Sequence, residues 1–316
     1  MSKKYTYRIR NWKEYNRNLI QRGSITIWFN DAATKWLAKK QPHQKGRPKI
    51  YSDDAILCAL IIRAVYHLPL RALQGFLLSI FSIMKVNLPV PCYTRICRRT
   101  ALIGQELKRL STGHPTDIVF DSTGVKVYGE GEWKVRQHGI DKRRTWRKIH
   151  LAICPDSHEI VLSQLSESTT TDAFAAKSMV TKLPKSVRNV YGDGAYDQEP
   201  FYAKLYKRKM KFVVPPRQGA RLRDSRDKPW LQIRNNILKT IIGLGDDAEA
   251  KKLWKILSRY HRRSLVETTM FRFKKLFGAD FRSRKMKNQK AELFAKSLAM
   301  NTMTKLGMPL RKWMFI

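Results

Sequence analysis

Acidic residues are scarce in this chain, with 25 Asp and Glu against 63 Lys and Arg in 316 residues. The resulting formal charge of +38 and isoelectric point near 10.4 exceed what solubility alone requires, and they favour a polyanionic partner over a neutral or basic one. Cysteine is also sparse. Cys58, Cys92, Cys97 and Cys154 form no CxxC pair and share no zinc-site spacing with histidine, which argues against a zinc module and for reduced thiols in a cytosolic protein. Long apolar runs are missing too. The strongest, Ala55 to Leu70, is broken by Arg63 and His67 and is shorter than the roughly 20 residues of a membrane span, so it reads as a buried helix. The start Met1-Ser2-Lys3-Lys4-Tyr5 runs into charged and aromatic residues rather than an apolar signal core, so a cytoplasmic protein with no membrane partner is expected. No internal repeat or low-complexity segment stands out.

The basic residues are spread along the whole chain among Trp, Tyr and apolar segments, and that distribution suits nucleic acid better than a membrane surface. Length alone allows a catalytic core plus a smaller module. In the first part, Lys45-Gly46-Arg47-Pro48-Lys49 reads as a basic linker, and Ser52-Asp53-Asp54 caps a helix running to Tyr66. Pro69 opens a second helix through Leu77 and Phe81. A third is expected from about Tyr93 to Leu110, carrying Arg95, Arg98 and Arg99 near its start. Three helices with a basic third suggest a helix-turn-helix-like DNA-binding region over residues 1–112, with a plain helical bundle as the alternative.

From Asp117 the pattern changes to strands. The expected order is strands ending at Asp121, over Trp146 to Ile153 and over Glu159 to Leu165. A helix from Asp172 to Leu183, a strand Val187 to Tyr191, a helix Glu199 to Lys209 and a strand Phe212 to Val214 follow. Residues 216–255 look like an insertion, irregular apart from one helix near Ile233 to Leu244. A long helix is expected from Leu257 to about Phe277, a last one from Gln289 to Leu306, and then a short basic tail. The α/β catalytic domain spans 113–310 on this reading.

A carboxylate that closes an apolar strand in so acid-poor a chain needs a reason, because burying an unpaired charge is costly. Asp121 and Asp193 both fit that description, each beside small residues (Ser122-Thr123-Gly124; Gly192, Gly194-Ala195) that leave room for a metal or phosphate. Taken singly, either is equally readable as a turn or cap aspartate. Tyr260, Arg263, Glu267 and Lys274 stand at offsets of three, seven and fourteen residues, which on one helix places them within about 60° of each other. Leu265, Val266, Thr269, Phe273, Leu276 and Phe277 would bury the opposite face. Glu267 would complete a ligand set while Arg263 and Lys274 hold phosphates and Tyr260 meets a DNA strand, unless the stripe is an ordinary solvated face. Asp117, Glu130 and Asp197 read as structural acids.

Tyr260-x2-Arg263-x3-Glu267-x6-Lys274 is similar to the YREK signature of DDE transposases from bacterial insertion sequences. Asp121-Ser122-Thr123-Gly124, Gly129-Glu130-Gly131-Glu132-Trp133, Trp146-Arg147-Lys148-Ile149-His150-Leu151 and Asp193-Gly194-Ala195-Tyr196-Asp197 resemble blocks of the insertion-sequence-five family, particularly its nine-zero-three-like subgroup. The likeness runs from about residue 20 to Pro309 and is strongest from 117 onward. It implies an RNase H-like core, a mixed sheet flanked by helices, with Asp121, Asp193 and Glu267 as catalytic metal ligands. It also implies two Mg²⁺ ions, with Mn²⁺ as a substitute, double-stranded DNA as partner in the form of terminal repeats and target, and a homo-oligomer in the synaptic complex. Two competing readings are a DNA-binding protein without catalysis and an RNase H-like nuclease or resolvase that joins nothing.

Overall fold

The computed structural model describes residues 5–29, 35–39, 48–127, 146–217 and 219–315. The basic linker residues 45–47 and the block 129–133, with Glu130, lie outside that set. The chain divides into two compact units, one of residues 1–103 with 298–316 and one of residues 104–297.

In the first unit, helices Trp12–Gln21, Asp53–Val65, Leu70–Ile83 and Tyr93–Thr100 accompany a two-stranded sheet. Ser52 Oγ accepts from Ala55 N at 3.0 Å, the N-cap expected from the sequence. Phe29, Trp36 and Phe81 form its aromatic centre, with ring centroids 5.1–6.3 Å apart. Two expectations are corrected here. The third helix stops at Thr100 rather than near Leu110, and the chain leaves helical geometry through turns up to Gly104 at φ +69°. The segment expected as a basic tail is a strand, Arg311–Phe315, paired antiparallel with Tyr5–Ile9. Of the three arginines on the third helix, Arg98 is exposed and Arg95 lies over the Tyr51 ring at 5.6 Å. Arg99 turns inward to Tyr51 O and Asp53.

The second unit holds the mixed sheet. Strand β1 (Asp117–Val127) is followed by β2 (Trp146–Ile153), β3 (Ile160–Glu167), α1 (Asp172–Val180), β4 (Asn189–Tyr191), α2 (Glu199–Lys207) and β5 (Lys211–Val213). This is the expected order of three strands, helix, strand, helix, strand. In space the sheet runs β3-β2-β1-β4-β5, antiparallel among the first three and parallel from β1 to β5. Alternation along β1 sends Ile118 and Phe120 into a core shared with Ala173, Ala176 and Met179 of α1 and Phe201, Tyr202 and Leu205 of α2. Val119 and Asp121 therefore face the other side.

The insertion between β5 and the Glu267 helix is more regular than its polar composition suggests. It carries two helices, α3 (Pro229–Gly243) and α4 (Ala248–Leu257), the second capped by Asp247 Oδ1 accepting from Ala250 N at 2.6 Å. The long helix expected from Leu257 is broken. Arg259 adopts left-handed geometry at φ 55°, Tyr260–Arg263 form a 3₁₀ turn, and the helix proper is α5 (Ser264–Phe277). Strand β6 (Asp280–Phe281) and α6 (Met286–Leu306) follow. Among the described residues, no single helix is long and apolar enough to cross a membrane.

Candidate active site

Strand β1 is supported unequally along its two edges. On one edge β2 pairs with it from Val119 to Lys126; on the other, β4 pairs only through Val119 and β6 only from Lys126. Between those partners the edge is open, and Asp121 stands in that interval. The expected strand end at Asp121 is thus a correction: apolar burial ends at Phe120, but the strand continues to Val127 because β2 still pairs with it.

Asp193 lies two residues beyond the end of β4, on the rim of the same opening. Its Oδ1 accepts from Ala195 N at 2.9 Å and caps the short 3₁₀ turn Gly194–Tyr196, leaving Oδ2 free to face inward. Gly192 is required beside it, since a Cβ there would meet Tyr196 Cδ2 at 2.9 Å. The Tyr196 ring packs on Phe120 and Phe201 beneath the site, and its buried hydroxyl has no hydrogen-bond partner among the described residues.

Glu267 arrives from α5, one turn in from its start. Val266, Thr269, Met270, Phe273 and Phe277 are buried and fix that helix, while Leu265 and Leu276 are only half-buried. The three carboxylates converge on one cation. Arg263 donates from Nη1 to Glu267 Oε1 at 2.6 Å, and its Nη2 lies 3.7 Å from Asp121 Oδ1 and 3.8 Å from Asp193 Oδ2. Asp121 is 14% exposed, Asp193 38% and Glu267 57%, so the cleft deepens toward β1 and opens beside α5. Tyr260 borders the same charges and packs on Trp254, with ring centroids 6.1 Å apart. Lys274 stands two turns beyond Glu267, about 10 Å along the axis.

The electrostatics follow from this crowding. Burial pushes the Asp121 carboxyl up to about 6; Arg263 and the Ser122 N–H pull it down, and Asp193 and Glu267 push it up again. Burial likewise carries the Tyr260 phenol up to about 12. Burial opposes the charge on Arg263, yet the surrounding groups, Asp121 foremost, outweigh it and hold the guanidinium protonated. Because folding raises the Asp121 pKa, the folded state binds that proton more tightly than the unfolded chain. The stability this group contributes is full below about pH 4 and lost as pH rises through 6, on the order of 3 kcal/mol for a shift of about two units. Metal-free Asp121→Asn should therefore melt higher than wild type at pH 8 and show no gain at pH 4. Scanning calorimetry at the two pH values checks this, and equal melting at pH 8 would refute it.

The acids read as structural have other partners. Asp117 accepts from Asn189 Nδ2 at 2.6 Å and pairs with Arg262, which also pairs with Asp156. Asp197 is buried against Arg234, with Nε 2.9 Å from Oδ1. Gly192 is among the small residues the sequence already places beside Asp193, whereas the sequence assigns no role to Tyr196, packed beneath it, or to Arg262, which nothing local marks apart from its neighbour.

Three carboxylate groups are a hard-oxygen donor set of the kind Mg²⁺ and Mn²⁺ prefer, and the space among them already accommodates a cation. Among the described residues, no three acidic, His or Cys side chains stand close enough to share one ion as they are, and Arg263 lies between them.

Comparison with known proteins gives two family matches, both described as a transposase DDE domain, over residues 20–130 and 112–302. Among solved structures, the chain is similar to a piggyBac transposase synaptic complex with hairpin DNA, determined by cryo-electron microscopy. The two are 11% identical with a TM-score of 0.41, over 90% of this chain and 75% of that one.

Proposed function

Because the chain belongs to the transposase DDE domain family, matched over residues 112–302, we propose that it binds the ends of an insertion sequence, cleaves there and joins the 3′ ends to target DNA. It is a DDE transposase, and the family implies dependence on a divalent metal. The finer assignment, to the nine-zero-three-like subgroup of the insertion-sequence-five family, rests on the motif blocks quoted above. The observation that carries the mechanism is the convergence of Asp121, Asp193 and Glu267, from three separate elements, on one guanidinium.

The strand order, with three antiparallel strands followed by two parallel ones, supports an RNase H-like core in which those three residues hold two Mg²⁺ ions. Ions held by Asp121, Asp193 and Glu267 would supply Lewis-acid chemistry, activating an attacking water or 3′-hydroxyl and stabilising the leaving oxygen. Asp121 and Asp193 are held by the sheet and its cap, so they form the rigid half of the ligand set. Glu267, more exposed and on a helix, completes it from the open side. Arg263 neutralises the carboxylates without metal and is the group positioned to transfer to a DNA phosphate, which would free all three acids together. Tyr260 borders the strand near the scissile bond, and Lys274 holds a phosphate farther along α5. Residues 1–112 read the element's ends, with Arg98 the most available of the three arginines and Arg95 and Arg99 shaping the helix they share.

The test is a strand-transfer assay. Purified protein, labelled duplex from the DNA flanking its own reading frame, supercoiled target and Mg²⁺ or Mn²⁺ should yield end-joined product. Nicking without joining would assign a nuclease instead, and end binding without nicking in either metal would leave a DNA-binding protein.

A further inference from the structure

A second polar cavity lies in the catalytic unit, on the same sheet face as Asp121 but at the opposite end of the strands. It measures about 210 Å³ and is lined by Asp117, Asn189 and Lys211 at the starts of β1, β4 and β5, with Tyr191, Ser258, Arg259 and Arg262 among the others. Three cations and one carboxylate leave it with a net positive charge. Asp117 is already engaged by Arg262 and Asn189, whereas Lys211 and Arg259 are exposed at the rim.

The cavity is joined to the active site by one short piece of backbone. Arg262 is held by Asp117 and Asp156, and the next residue, Arg263, reaches Asp121, Asp193 and Glu267. Asp117 and Asp121 are four residue steps apart along extended β1, about 13 Å. Arg259, which places its side chain at the cavity, sits in left-handed geometry at φ 55°, a conformation unfavourable for a residue with a Cβ. Glycine or asparagine would fill that turn more easily, and neither would bring a guanidinium to the rim.

We propose that this cavity is a phosphate subsite: Lys211 and Arg259, backed by the fixed Arg262, hold a backbone phosphate of bound DNA a few nucleotides from the scissile one. Its occupant is a phosphodiester and not a base, because the lining offers charged and hydrogen-bonding groups with little apolar surface to stack on. A strand held there lies against both ends of the Asp117–Asp121 segment, which fixes the scissile phosphate along its length as well as at the metal site. The inference rests on the transposase reading.

The experiment measures DNA affinity without metal, so cleavage does not enter. Wild type, Lys211→Gln, Arg259→Gln and Arg259→Gly are titrated with end duplexes carrying one uncharged methylphosphonate at successive positions. One to three positions should weaken wild-type binding about tenfold, and the same positions should cost Lys211→Gln and Arg259→Gln much less. Each variant should also flatten the dependence of log K on log salt by about 1. Arg259→Gly keeps the turn and loses the cation, so it should match Arg259→Gln in binding while melting no lower than wild type. Overturning results are a wild-type methylphosphonate profile retained in full by the variants, or unchanged salt slopes. Inorganic phosphate that protects wild type but not the variants against thermal unfolding, without any sensitive position in DNA, would give the cavity to a free anion and also overturn the proposal. Failure of wild type to bind any duplex would instead remove the transposase reading itself.

Discussion

Asp121→Asn, Asp193→Asn and Glu267→Gln should each lower cleavage of end-containing DNA on the order of 10³-fold or more, with end binding changed only a few-fold. Each substitution keeps the shape of the side chain and removes the charge that a divalent cation needs. The backbone hydrogen bonds that hold Asp121 and Asp193 survive, because an amide oxygen accepts from Ser122 N and Ala195 N as a carboxylate does. The loss should therefore appear in turnover and in Mn²⁺ binding, not in folding. Arg263→Ala should behave differently, weakening strand positioning with partial loss of activity. Single-turnover cleavage, with filter binding on the same preparations, separates the two effects. More than a tenth of wild-type cleavage in any of the three carboxylate variants would remove that residue from the site.

Breaking the buried Arg234–Asp197 pair should be the most damaging single change to stability away from the core. Both side chains are almost fully enclosed. Arg234 also donates to Arg221 O at 2.8 Å, and Asp197 accepts from Arg217 N at 3.4 Å. Asp197→Ala leaves a guanidinium buried without its counter-charge and Arg234→Ala leaves a carboxylate so placed, each at a cost of about 3–5 kcal/mol. For a unit of this size that lowers Tm by about 10 °C. Replacing both with apolar residues of similar volume should cost less than either alone, and a double-mutant cycle on thermal unfolding reads the difference. The pair ties α3 to the turn that follows Asp193, so the same single variants should weaken metal binding more than Asp224→Ala, whose partner Arg226 is exposed.

The parts of this site that were legible in the sequence are those set by local chemistry. Asp121 after Ile118-Val119-Phe120, and Asp193 between two glycines, stand out as acids that close apolar strands beside small residues, but each taken alone fits a turn or a cap equally well, and only the spaced Glu267 groups them. The offsets of Arg263 and Glu267 survive the broken helix, since four residues in a 3₁₀ turn running into α5 still lie on neighbouring faces. The break itself was not legible. Helical spacing continues through Ser258 to Arg263 with no proline or glycine, while in the structure Arg259 is left-handed at φ 55° and Arg262 pairs with the distant Asp117 and Asp156. Two departures from the expected helices have local signals in the sequence: Gly104 follows where the third N-terminal helix gives way, and Asp247 with Glu249 supplies the cap and first-turn acid of α4. The pairing of Tyr5–Ile9 with Arg311–Phe315 joins segments about 300 residues apart, and neither strand advertises its partner.

The one-sided support of β1 has a consequence for how the unit opens. Residues 120–125 are paired by β2 alone, while β4 and β6 grip the strand before and after them. In amide hydrogen exchange this short stretch should behave as a soft segment within an otherwise slow strand, opening by local fluctuation while Val119, paired on both edges, waits for global unfolding. A cation drawing Asp121, Asp193 and Glu267 together would brace that stretch from its open side, so its protection should rise on metal binding while the rest of the sheet stays as it was.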